Sequence, residues 1–202
     1  MNFRFLASFV AALGLFSLII RRSIHRDTVP MDSYYEKERK ANFVRKKSLD
    51  NLNYITIPDE ILSLSPAHRT EEIDAYLKDL QDLSKEKIVN LTGISNTDLK
   101  LTYGTANITI LSDYDSHYTN LVTILQKLAE RLVAVNEKQA AIMLLEFAVS
   151  TGTDISKSYY LLASLYQEQN EGAKVNDLIK QAESLHTLMK DSIVRNLKAS
   201  GQ

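Results

Sequence analysis

The chain has no cysteine among its 202 residues. Disulfides, thiol nucleophiles and zinc–thiolate sites are therefore excluded. Proline occurs only at Pro30, Pro58 and Pro66, so everything after residue 66 is free of the strongest helix breaker. Glycine is also scarce, and in that later stretch it stands at Gly93, Gly104, Gly152, Gly172 and Gly201, a spacing that suits helix ends rather than interiors. No Gly-rich phosphate loop, HExxH, GxSxG or kinase signature occurs. The four histidines, His25, His68, His117 and His186, are scattered, and each reads as a surface residue. Asp113, Asp115 and His117 come nearest to a metal cluster, but residues two apart on a helix point about 200° from one another and do not converge on an ion. Tyr103, Tyr114 and Tyr118 read as core between helices. We expect no catalysis, no cofactor and no metal. A net charge of −1 lacks the basic footprint of a nucleic-acid binder, so no nucleic-acid partner is expected either.

What is present is divided sharply along the chain. Residues 5–20 form an uncharged run in which ten of sixteen residues are Leu, Ile, Phe or Val. As a helix it is about 24 Å long, and those ten residues favour insertion by roughly 3–6 kcal/mol. A secretory signal is the rival reading, but the chain continues RRSIHR, without the small residues a cleavage site needs. The run reads as a single transmembrane anchor. Residues 21–47 then hold nine Lys or Arg against four Asp or Glu, and residues 48–202 carry a net charge of −7. By the positive-inside rule this basic neck places the C-terminal body in the cytoplasm, at the cell membrane. There the sequons Asn90-Leu91-Thr92 and Asn107-Ile108-Thr109 are accidents of composition.

The neck interleaves its cations with Tyr34, Tyr35 and Phe43. Arg21, Arg22, Arg26, Lys37, Arg39, Lys40, Arg45, Lys46 and Lys47 are candidate contacts to anionic lipid headgroups; a merely solvated helix is the alternative. Residues 48–68 read as an extended connector. Residues 69–121 read as a helical region, with one helix over about 70–90, a short one from Thr97 to near Gly104, and a long one over much of 106–135. The expected fold class is all-α, an N-terminal span followed by a helical-hairpin body.

An internal repeat occupies the last third. Leu125, Leu128, Ala129, Leu132, Ala141, Leu145 and Ala148 are answered 34 residues later by Tyr159, Leu162, Ala163, Tyr166, Val175, Ile179 and Ala182, and Asn136-Glu137 by Asn170-Glu171. This period and pattern resemble the tetratricopeptide (TPR) repeat, with two units over 122–189. Thr153 and Thr187 stand where that family usually has proline. Residues 190–202 read as a capping helix and tail, and Asp154 and Ser156 as caps of the second unit's first helix. The whole layout is similar to small uncharacterised bacterial membrane proteins.

The resemblance implies a groove that binds extended peptides, lined by Thr123, Gln126, Glu130, Lys157, Tyr160, Ser164 and Gln167. The chain is thus expected to be a membrane-anchored, non-catalytic scaffold or adaptor with a protein or peptide partner. The alternative is a structural subunit of a larger membrane complex, in which Ala7-x-x-x-Ala11 and Ser8-x-x-x-Ala12 provide contacts between spans. The anchor reading predicts that alkaline carbonate leaves the full-length chain in the membrane and that protease outside intact cells spares residues 48–202. Release by carbonate would remove it.

Overall fold

A computed structural model describes residues 29–200. The apolar run 5–20, with Arg21, Arg22, Arg26 and His25, lies outside the described residues, and no described helix is long and apolar enough to cross a membrane. The protein is all-α: α1 (Val29–Asn42), α2 (Asp59–Leu62), α3 (Glu71–Leu83), α4 (Asn96–Tyr103), a 3-10 turn (Thr105–Asn107), α5 (Ile108–Ala134), α6 (Lys138–Ser150), α7 (Ser156–Glu168), α8 (Gly172–Glu183) and α9 (Lys190–Ser200). Among the described residues the extended pairing is a lone antiparallel bridge between Tyr54 and Val89. The described residues form two compact units, one built from residues 29–47 with Ser95–Asn107, the other from Ser48–Ile94 with residues 108–200.

In the smaller unit α1 pairs with α4. Ser95 caps α4 by accepting a hydrogen bond from the Asp98 amide at 3.2 Å, and Gly104 ends it at φ +89°. The glycine is required twice over. Its φ is left-handed, and a Cβ there would lie 2.2 Å from the Arg45 carbonyl oxygen. That close approach lets the Lys47 amide donate to Tyr103 O at 3.0 Å and the buried Asn107 amide donate to Lys47 O and Tyr103 O, both at 2.8 Å. Lys100 and Thr97 both donate to Glu38. The Lys100 bond first, then Thr97, holds the Glu38 carboxyl below its ordinary range. A depressed folded pKa stabilises this unit above the ordinary Glu range, and the contribution is lost as pH falls through the folded value.

The larger unit is built on α5. Thr70 caps α3 by accepting from the Ile73 amide at 3.3 Å, Glu71, Glu72 and Asp74 occupy the favourable end of its dipole, and Ile73, Leu77 and Leu80 are buried at helical spacing. The helix expected over 70–90 stops at Leu83 because Ile88 and Val89, β-branched and buried, are held extended. Ile55 donates to Ile88 O at 2.9 Å, and Val89 bridges Tyr54. The connector expected over 48–68 also contributes core: Pro58 starts α2, and Ile57 and Ile61 are buried. Asn90 and Asn107, the sequon asparagines, both spend their side-chain amides on backbone carbonyls.

Two hairpins follow, α5–α6 and α7–α8, with the same turn. Asn136 and Asn170 take left-handed φ of 64° and 60°, tolerable for Asn. Glu137 N donates to Leu132 O and Glu171 N to Tyr166 O, each at 2.8 Å, while Asn136 N and Asn170 N donate to Val133 O and Gln167 O, each at 3.0 Å. Both turns are thus Schellman closures. Ala129, Ala148, Ala163 and Ala182 are all buried. The expected caps of α7 differ: Ile155 is its N-cap, without a side-chain bond, and Thr153 Oγ1 accepts from the Ile155 amide at 3.2 Å instead. α9 closes the end by burying Ile193 and Leu197 against α7 and α8.

Because Ala163 is 2% exposed, Ala163→Leu overpacks the hairpin and should cost roughly 1–3 kcal/mol. The same change at exposed Ala173 should stay within about 0.5 kcal/mol. Equal shifts in denaturant midpoint for the two variants would refute this packing.

Candidate protein-binding surface

The seven groove residues implied by the resemblance do not form one continuous solvent face. Gln126 is 5% exposed, a correction to its expected place on an open stripe. Its carbonyl accepts from the buried Ser158 hydroxyl at 2.6 Å, and its amide donates to Glu130 Oε1 at 3.1 Å. Lys157 Nζ stands 4.0 Å from the same Glu130 oxygen. Gln126, Glu130 and Lys157 are therefore brought together, but as a polar clasp between α5 and α7. The cause is the burial of Ser158: its covered hydroxyl needs an acceptor, and Gln126 supplies one from α5.

Tyr160 is half-buried against the core, and its hydroxyl accepts from Asn196 Nδ2 at 2.7 Å. Helix α9 thus engages one of the residues expected to line the groove. Ser164 and Gln167 are exposed, and Thr123 is half-buried. Below the clasp, the Tyr118 and Tyr159 hydroxyls donate to Thr151 O at 3.2 Å and Thr153 O at 2.9 Å, while Asn90 Nδ2 donates to Thr151 O at 2.9 Å. Burial pushes the Tyr118 hydroxyl up to about 12 and Tyr159 still higher, so both stay protonated donors pinning the loop between hairpins.

A groove of about 530 Å³ lies between α3 and α5. Leu83, Tyr76 and Ile124 supply its apolar lining, Asp79, Asp82 and Glu86 line the α3 side, and His117, Asn120, Thr123 and Lys127 the other. Lys85 neutralises Asp82 at 2.7 Å. Of the resemblance-derived set, Thr123 alone lines this groove. The signal for it was available in sequence: Asp79, Asp82 and Glu86 recur at intervals of three and four beside the Ile73–Leu77–Leu80 stripe. What periodicity does not supply is which helix stands across from them.

A smaller cleft of about 270 Å³ includes Glu146, Tyr166, Lys174 and Asp177. Tyr166 donates to Glu146 Oε1 at 2.7 Å, Lys174 lies 5.1 Å over the Tyr166 ring, and its ammonium pairs with Glu171 at 2.7 Å. Burial, then the Glu146 carboxylate, raises the Tyr166 pKa. Asp115 Oδ1 accepts from the Leu91 amide at 3.0 Å, and His117 Nδ1 lies 2.9 Å from Lys87 O, so this pair staples the 87–91 segment to α5. No group of described residues has the arrangement of a metal site. His68 is exposed beside Glu137 at 3.3 Å, and His186 is exposed.

The neck cations separate into two sets. Lys37 pairs with Asp98 at 2.6 Å, Lys40 with Glu36 at 2.8 Å, and Lys47 Nζ donates to Leu101 O at 3.1 Å. Arg39, Arg45 and Lys46 are exposed. Comparison with known proteins supplies no relative: no family model, no curated protein and no solved structure matches the chain.

Replacing Gln126 with Leu should leave the Ser158 hydroxyl buried and unpaired, costing roughly 1–3 kcal/mol in denaturant unfolding. Glu130→Ala, at the exposed end of the clasp, should cost less than about 1 kcal/mol. A Gln126→Leu protein as stable as wild type would show that the clasp contributes nothing.

Proposed function

We propose that this chain is a membrane-tethered, non-catalytic adaptor: its helical body, which includes TPR-like hairpins, presents a protein-binding surface at the cytoplasmic face of a cell membrane, and residues 5–20 hold it there. The repeat reading is carried by the duplicated turn at Asn136 and Asn170, where φ and both closing hydrogen bonds recur after 34 residues. The tether reading rests on the apolar run and the basic flank that follows it.

The binding surface in this reading is the α3–α5 groove. From His117 to Lys127 it follows about 15 Å of helix, enough for four or five residues of an extended peptide. Asp79 and Glu86 have no ion-pair partner among the described residues, and Tyr76, Leu83 and Ile124 offer apolar contact. The matching partner is an extended peptide with a basic residue beside an apolar one. Its affinity comes from the buried apolar side chain and its orientation from the charge.

The test is site-specific photocrosslinking of the full-length chain in the cells that make it, with benzoylphenylalanine at Asn120 or Lys127, and at Lys180 as a control on the far helix. One shared adduct from the two groove positions, lost in a Glu86→Lys background and missing at the control, is the expected result. No adduct at either groove position would remove the groove. Adducts of equal strength at the control would replace the adaptor with a subunit embedded in a larger assembly.

A further inference from the structure

Three large aromatic side chains of the smaller unit are left in solvent: Tyr34 is 55%, Tyr35 62% and Phe43 82% exposed. Single exposed apolar residues are ordinary, but the environment of Phe43 is not. It follows directly on α1, and the backbone beside it is fastened on both sides. The Phe43 and Val44 amides donate to Lys40 O and Ala41 O, each at 3.2 Å, and Lys47 N to Tyr103 O at 3.0 Å. The Arg45 carbonyl is seated where only a glycine, Gly104, leaves room. The ring is thus held out in water by a fixed backbone.

The charges around it are sorted in the same sense. Lys37 and Lys40 are neutralised by Asp98 and Glu36, whereas Arg39, Arg45 and Lys46 are exposed with no ion pair among the described residues. An apolar ring flanked by uncompensated cations is complementary to a surface that is anionic outside and apolar just beneath. We infer that Phe43, Arg45 and Lys46 form an interfacial wedge that seats this unit on an anionic lipid bilayer: the ring enters the headgroup–acyl boundary and the two cations meet lipid phosphates. The inference rests on the tether reading for the nearness of the bilayer. Phe43 lies 23 residues beyond Ile20, the end of the apolar run, so a contact too weak to hold a free protein is favoured by the high effective concentration of a short link.

The chain has no tryptophan, so Phe43→Trp in the full-length protein introduces a single indole at a position outside the core. The protein would be reconstituted with vesicles of phosphatidylcholine alone or mixed with phosphatidylglycerol. In the mixed vesicles the indole emission should shift to the blue and be quenched by lipids brominated along the acyl chain. Quenching should fall at least about threefold in an Arg45→Gln/Lys46→Gln background or in high salt. An indole that stays hydrated in both vesicle types overturns the wedge, as does a blue shift without bromine quenching, which would mean that a second copy of the chain covers position 43. Flotation separates this inference from the tether. Flotation on both vesicle types with a hydrated indole refutes the wedge alone. Flotation only on anionic vesicles with a quenched indole refutes the tether and leaves the wedge. No flotation on either refutes both.

Discussion

The larger unit depends on one helix burying more than one face. Along α5, Leu111, Tyr118, Leu121, Val122, Leu125, Leu128, Ala129 and Leu132 are all buried, and α3 and α6 both pack against it. A fully buried Leu is worth about 1.5–3 kcal/mol in transfer free energy. A single helix in water could bury none of them, so the stripe forms only when its neighbours arrive. That requirement fixes the positions of α3 and α6, and through the Ser158–Gln126 bond at 2.6 Å it aligns α7 as well.

Polar groups then decide what an apolar stripe leaves loose. Leucine against leucine tolerates sliding, whereas a hydroxyl buried without an acceptor loses its hydrogen bond with water and gains none. Tyr118, Tyr159 and Asn90 all converge on the carbonyls of the loop between hairpins, and their bonds are satisfied in one register. The smaller unit meets the same need with backbone: Gly104 admits the Arg45 carbonyl, and Asn107 serves two carbonyls at once. In both units a few directional contacts make the packing unique, and each unit presents its own leftover surface, the α3–α5 groove in the larger and the Phe43 turn in the smaller.

Local signals in the sequence placed most of the helices. Gly104 ends α4 where the sequence placed its stop, and the absence of proline after residue 66 announced an all-α body. The 34-residue period located both asparagine turns, because a left-handed turn residue and its flanking apolar positions are written in consecutive letters. Where the reading missed, a distant partner had overridden the local pattern. Ile88 continues a helical period yet lies extended because Ile55 donates to its carbonyl, and a helix expected to reach about residue 90 ends at Leu83.

The sequence by itself determined the division into apolar head, basic neck and acidic body, the helical class, and the duplicated turns, since each depends on residues within a few positions of one another. Only the tertiary structure decided which polar side chains face solvent. Gln126 and Ser164 are equally polar in sequence, but Gln126 is covered because Ser158 reaches it from 32 residues away, and Ser164 is exposed. The groove opposite Asp79 and Glu86 likewise exists because α5 lies beside α3. Helical periodicity gives the direction of a side chain about its own axis, and the identity of what stands opposite is set by how the axes pack.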